Sequence, residues 1–86
     1  MRYELEPTNG RKSFYGKCYV EEKDGVHKLY SYDTLLMSME ADKNLHRYWD
    51  GESATTMSHI RAFVYEVLGI EDFPIQRWRS MEVEKE

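Results

Sequence analysis

Three histidines, one cysteine, two carboxylates astride a glycine and a run of hydroxyls are the side chains from which chemistry could be built in this chain. His27, His46 and His59 fall in a hairpin, a later strand and a helix, and no pair has the i,i+4 or short hairpin spacing of a zinc site. Structural or surface roles are expected for them, and no metal site. His59 and Glu66 share a helix face with Thr55, but seven residues separate them, about 10 Å along the axis, too far for a direct acid–base pair. Cys18 follows Lys17, a neighbour that would lower a thiol pKa; strand alternation sends Lys17 to the opposite face, so an inert buried thiol is expected.

Asp50 and Glu52 flank Gly51 closely enough to suggest acid–base work. Their place just before a helix has a simpler account, since negative charge interacts favourably with the helix N-terminus. Ser53, Thr55, Thr56 and Ser58, with Arg61 beyond them, could converge on a phosphate; the neighbouring acids oppose an anion, and capping is expected instead. Tyr15, Tyr19, Tyr30 and Tyr32 could stack single-stranded bases, but only Lys17 and Lys28 lie in register to frame such a platform. Every candidate catalytic residue thus has a structural explanation, and no catalytic residue or cofactor is assigned.

These side chains must be positioned by few elements. Eighty-six residues make one small domain, here taken as 1–86 with an ordered core over 13–81, in which a deep solvent-excluded site is hard to build. Asn9-Gly10 suits a loop, after which order is expected to begin. Residues 13–22 alternate, with Phe14, Gly16, Cys18 and Val20 toward the core and Tyr15, Lys17, Tyr19 and Glu21 away from it. Asp24-Gly25 is a hairpin signal, so Val26 to Tyr32 returns antiparallel, with Tyr30 and Tyr32 on one face. Asp33-Thr34 reads as a bend, Leu35, Met37 and Met39 alternate again, and a turn at 41–44 leads to a strand over 45–49.

Ser53 is the expected N-cap of a helix that Gly69 ends. Met57, Ile60, Phe63, Val64, Val67 and Leu68 cover an arc of roughly 140° that faces the sheet, leaving Thr55, Ser58, His59, Ala62 and Glu66 outside. Pro74 suits the first turn of a short helix carrying Ile75, Trp78 and Met81, and the charged tail 82–86 is expected to fray. The fold class is therefore α+β: an antiparallel meander of three or four strands, one helix on one face and a short C-terminal helical segment.

The formal charge of −4 is uneven, with eight acids and eight bases over 1–49 but eight acids and four bases over 50–86. That balance argues against nonspecific duplex binding, which needs a basic stripe. A single cysteine makes the fold independent of an oxidising compartment. The charged start is unlike a signal peptide and no apolar run approaches the roughly 20 residues of a membrane span, so a cytoplasmic setting without membrane contact is expected.

Ser13-Phe14-Tyr15-Gly16-Lys17, then Leu29-Tyr30-Ser31-Tyr32-Asp33-Thr34, then Trp49-Asp50-Gly51-Glu52-Ser53-Ala54-Thr55-Thr56-Met57-Ser58-His59-Ile60 resemble, in that order, a family of small uncharacterised proteins encoded by bacteriophages and mobile elements of Gram-positive bacteria. The likeness covers roughly residues 13–68, with a pattern S-F-Y-G-K-A, Y-S-Y-x-T and W-D-G-Y-S-A-T-T-M-R-H-I. Glu52 stands where that pattern has an aromatic and Ser58 where it has a base, so this surface is less basic here. The resemblance implies a bacterial host cytoplasm and a noncatalytic protein that blocks a host protein such as a CRISPR effector or another nuclease. Asp50, Glu52, Glu66, Glu71 and Asp72, with Thr55, Ser58 and His59 on the helix and Tyr30 and Tyr32 as aromatic anchors, would meet a basic channel. The alternative is a nucleic-acid-binding regulator using Arg61, Arg77, Arg79, Tyr15 and Tyr19. A homodimer through an open sheet edge or the tyrosine face is a further expectation.

Overall fold

A computed structural model describes residues 1–5 and 17–85. Five strands, β1 (Arg2–Glu4), β2 (Cys18–Lys23), β3 (Val26–Ser31), β4 (Thr34–Met39) and β5 (Leu45–Arg47), precede α1 (Ala54–Leu68) and α2 (Ile75–Ser80). The sheet is wholly antiparallel, and its spatial order β1-β2-β3-β4-β5 repeats the chain order. The α+β class expected from the pattern is the one observed, with a strand more than anticipated.

The extra strand is β1. Arg2, Tyr3 and Glu4 pair with Glu21, Val20 and Tyr19, and Leu5, 5% exposed, enters the core. Order therefore begins already with β1; Asn9-Gly10, Phe14, Tyr15 and Gly16 lie outside the described residues. The hairpin at Asp24-Gly25 has both residues in the left-handed region, at φ 55° and 81°, as a two-residue type I′ turn requires.

In β2 Cys18 and Val20 are sealed in the core as expected, but Tyr19 is buried too, at 7% exposed, because Tyr30 and Arg2 cover it on the other face. Alternation fails in β4. Leu29 faces Met37 while Tyr30 faces Leu35, so Leu36 is an extra residue, a β-bulge that breaks the period of two. As a result Leu36, Met37, Ser38 and Met39 are all buried and Leu35 is only half-buried, rather than Leu35, Met37 and Met39 sharing the inner face.

Ser53 caps α1, its Oγ accepting from the Thr56 amide at 3.1 Å, and Gly69 closes it at φ 70°, donating to the Tyr65 carbonyl at 2.8 Å. The buried face is broader than one sheet contact requires. Thr56, Met57, His59, Ile60, Ala62, Phe63 and Val64 are all buried and span about 220° of the wheel at 100° per residue. His59 and Ala62, each 2% exposed, thus belong inside, correcting their placement on the outer side. The helix gains a second covering because the chain returns after Gly69: Phe73 and Trp78 join α1 and the sheet in one apolar cluster. Pro74 is the N-cap of α2 rather than within its first turn.

Arg47 fastens that return. Its guanidinium lies 4.3 Å over the Trp78 ring; Nε donates to the Trp49 carbonyl and Nη1 to the Trp78 carbonyl, both at 2.8 Å. Trp78 Nε1 donates to the Gly51 carbonyl at 3.1 Å. Beyond α2 the chain does not fray at once: Val83 bridges Arg47 in parallel, and the Glu84 amide donates to the Arg47 carbonyl at 2.7 Å.

Candidate functional site

The β3–β4 turn and the first turn of α1 face each other across an open cleft of about 260 Å³, lined by Ser31, Tyr32, Thr34, Leu36, Trp49, Ser53, Thr55 and Thr56. Tyr32 forms its mouth. Its backbone is left-handed at φ 57°, a conformation that is costly for an aromatic residue; the Tyr32 amide offsets this by donating to the Lys17 carbonyl at 2.6 Å. Tyr32 is 57% exposed as a residue, with Lys17 Nζ 5.5 Å from its ring centroid. A large aromatic is thus presented to solvent on a fixed backbone.

The floor is made by Ser31, whose Oγ shares a 2.8 Å hydrogen bond with His59 Nδ1. A serine beside an imidazole is the arrangement that begins acyl transfer. Here burial pushes the His59 pKa down, so the ring is neutral at pH 7, and the same burial makes the imidazolium that a general base must become expensive to form. The pair suits the satisfaction of two buried polar side chains better than catalysis. Cys18 is likewise buried, and burial raises its thiol pKa to about 12.

The acids chosen from sequence do not form one patch. Asp50 and Glu52 are exposed beside the N-terminus of α1, whereas Glu66, Glu71 and Asp72 lie at or past its other end, about 20 Å away by the helical rise. Glu66 is close enough to Tyr3 to help raise the phenol's pKa, after burial and ahead of Glu22. Glu52 is bound by Arg79, whose Nε donates to Oε2 at 2.9 Å and Oε1 at 3.1 Å; that bond holds the carboxyl below its usual range and the guanidinium above its own. Thr55 is exposed at the cleft, and Ser58 donates back to the Ala54 carbonyl at 3.2 Å.

The cations and aromatics of the alternative set are scattered as well. Arg61 donates to the Phe73 carbonyl at 3.2 Å, and Arg77 lies 5.5 Å from the Phe73 ring centroid. Tyr19 is 7% exposed, stacked on Tyr30 with centroids 5.2 Å apart and covered by the Arg2 guanidinium at 3.8 Å. Tyr30 is half-buried and separate from Tyr32, which the turn carries away from the strand. Tyr15 is outside the described residues.

Ser31, Thr34 and Trp49 were absent from the sequence-based site. Ser31 and Thr34 share one motif block and Trp49 opens another, but only the fold brings them together. Among the described residues no group of three or more His, Cys, Asp or Glu side chains is arranged to hold a metal, and no helix is long and apolar enough to cross a membrane.

Across residues 3–79 the chain matches a family described as a family of unknown function, DUF8033. No curated protein and no solved structure matches it. The chain belongs to the DUF8033 family.

Proposed function

We propose that this family member is a noncatalytic binding protein that acts by contact with another protein, and that the contact surface is the rim of the cleft between the β3–β4 turn and α1. The observation that carries the reading is Tyr32: an aromatic ring held open to solvent on a backbone fixed by the Lys17 carbonyl. Rigid, exposed aromatics beside a pocket are the usual energetic centres of protein interfaces. Asp33 and Asp50, exposed and adjacent in sequence to Tyr32 and Trp49, favour a basic partner.

The target we propose is a host defence nuclease such as a CRISPR effector, whose nucleic-acid channel is basic by necessity. Support for this choice is the likeness of the three motif blocks to phage-encoded chains, together with the acidic balance of the second half. A nucleic-acid-binding role has less support, because Tyr19 is covered and the charge of Arg79 is matched by Glu52.

Capture of the tagged protein from a bacterial lysate, with and without nuclease, tests the reading. A stoichiometric protein that survives nuclease, is lost with Tyr32→Ala and associates more slowly at higher salt is the expected result. Recovery of nucleic acid, or of proteins that disappear after nuclease, overturns it.

A further inference from the structure

The outward edge of β5 is occupied by the chain itself. Up to Met81 the path is fixed independently: the Met81 amide donates to the Trp78 carbonyl at 3.2 Å, and Arg47 Nη1 reaches the Met81 carbonyl at 3.5 Å. Past that point the attachment is slight. The Glu84 amide donates to the Arg47 carbonyl beside the Arg47–Val83 bridge, and Val83 remains 43% exposed, so apolar burial contributes little. A side-chain contact adds to this: Glu84 Oε2 lies 2.7 Å from His46 Nδ1.

His46 is built to be sensitive to protons. Its other nitrogen, Nε2, is 3.6 Å from Glu40 Oε2, a distance that carries electrostatic attraction but no hydrogen bond. Across the ladder His46 faces Ser38, which faces Lys28, which faces Glu21; Ser38 Oγ is 3.2 Å from the Tyr48 hydroxyl. Among the described residues the ring thus contacts two carboxylates from two different segments, with Lys28 a strand further off.

We propose that residues 82–84 are a proton-controlled cover on the β5 edge, held down while His46 is charged and loosened when it is neutral. Loosening frees the Arg47 carbonyl at the β5 edge, while α2 stays anchored through Arg47 and Trp78. Linkage fixes the size of the effect: docking weakens, from the charged to the neutral form, by the ratio of the His46 acid constants in the released and docked states. The hydrogen bond to Glu84 is the largest influence raising the His46 pKa from 6.5, so the change falls above pH 6.5.

The test is amide hydrogen exchange and histidine titration by NMR on the full chain. Corrected for intrinsic exchange, protection of the Glu84 amide is expected to fall between pH 6 and pH 8. Glu84→Gln should bring the His46 pKa back toward 6.5, and His46→Gln should abolish the pH dependence at Glu84 while leaving the Trp78 amide protected. Equal protection of Glu84 at both pH values overturns the proposal, as does persistence of the pH dependence in His46→Gln.

Discussion

Arg47 and Trp78 are bound to each other twice: the guanidinium covers the indole at 4.3 Å, and its Nη1 donates to the carbonyl of the same residue at 2.8 Å. One side chain from the edge strand therefore holds both the ring and the backbone of the closing helix. Arg47 is 7% exposed and Trp78 fully buried, so neither contact is diluted by water.

Replacing Arg47 by Ala is expected to lower stability by about 3 kcal/mol, because the Trp49 and Trp78 carbonyls lose their donors and the indole loses its cover. Arg47→Lys should recover only part, since an ammonium lacks the planar fork that reaches both carbonyls. Urea unfolding measures both; a loss below about 0.5 kcal/mol for Arg47→Ala would show the carbonyls finding other partners.

The tight loop before α1 makes a second prediction. A β-carbon on Gly51 would stand 2.5 Å from Trp49 Cζ2, so Gly51→Ala must push the half-buried indole aside and disturb the carbonyl that receives Trp78 Nε1. A loss of about 1–3 kcal/mol is expected, read as a lower thermal midpoint with tryptophan fluorescence shifted to the red. An unchanged midpoint would mean that the indole yields freely.

Two histidines should shape the pH dependence of stability in opposite directions. The folded pKa of His59 is depressed by burial, so the unfolded chain binds the proton more tightly and stability falls as pH drops below 6.5 toward the folded value. The folded pKa of His46 is raised, chiefly by Glu84, so its contribution is complete below 6.5 and is lost as pH rises through the folded value. Unfolding curves across pH 5 to 8 should show the acid limb flattened by His59→Gln and the neutral limb by His46→Gln. Identical limbs in parent and variants would refute both assignments.

Cys18 is sealed and its thiol pKa pushed to about 12. A disulfide reagent at pH 8 is expected to react at the rate of unfolding in the absence of denaturant, and instantly in denaturant. Immediate reaction with the folded protein would place Cys18 at an accessible surface.

Where local signals were strong, the chain could be read directly: the Asp24-Gly25 hairpin, the Ser53 cap and the Gly69 stop all act within a few residues. What escaped depends on contacts between distant segments. Arg2-Tyr3-Glu4 is too short and too charged to announce a strand, and becomes one only because β2 offers it an edge. His59 is polar and off the apolar arc, yet Ser31 gives it a partner in the interior. The bulge at Leu36 cancels an alternation that looked sound. Glu52 and Arg79, expected on rival surfaces, are paired by the fold. The cleft at Tyr32 was hidden for the same reason, since its walls come from three separate stretches of chain.

A sheet whose spatial order repeats its chain order has a kinetic consequence. From β2 to β5 each hairpin can close before the next strand is needed, so most strand pairing requires only short loops. The exceptions are the docking of β1 and the return of α2 onto Arg47. Folding should therefore proceed by zipping the meander first, with the Trp78 indole reaching its carbonyl partner late, and substitutions around Arg47 should speed unfolding far more than they slow folding.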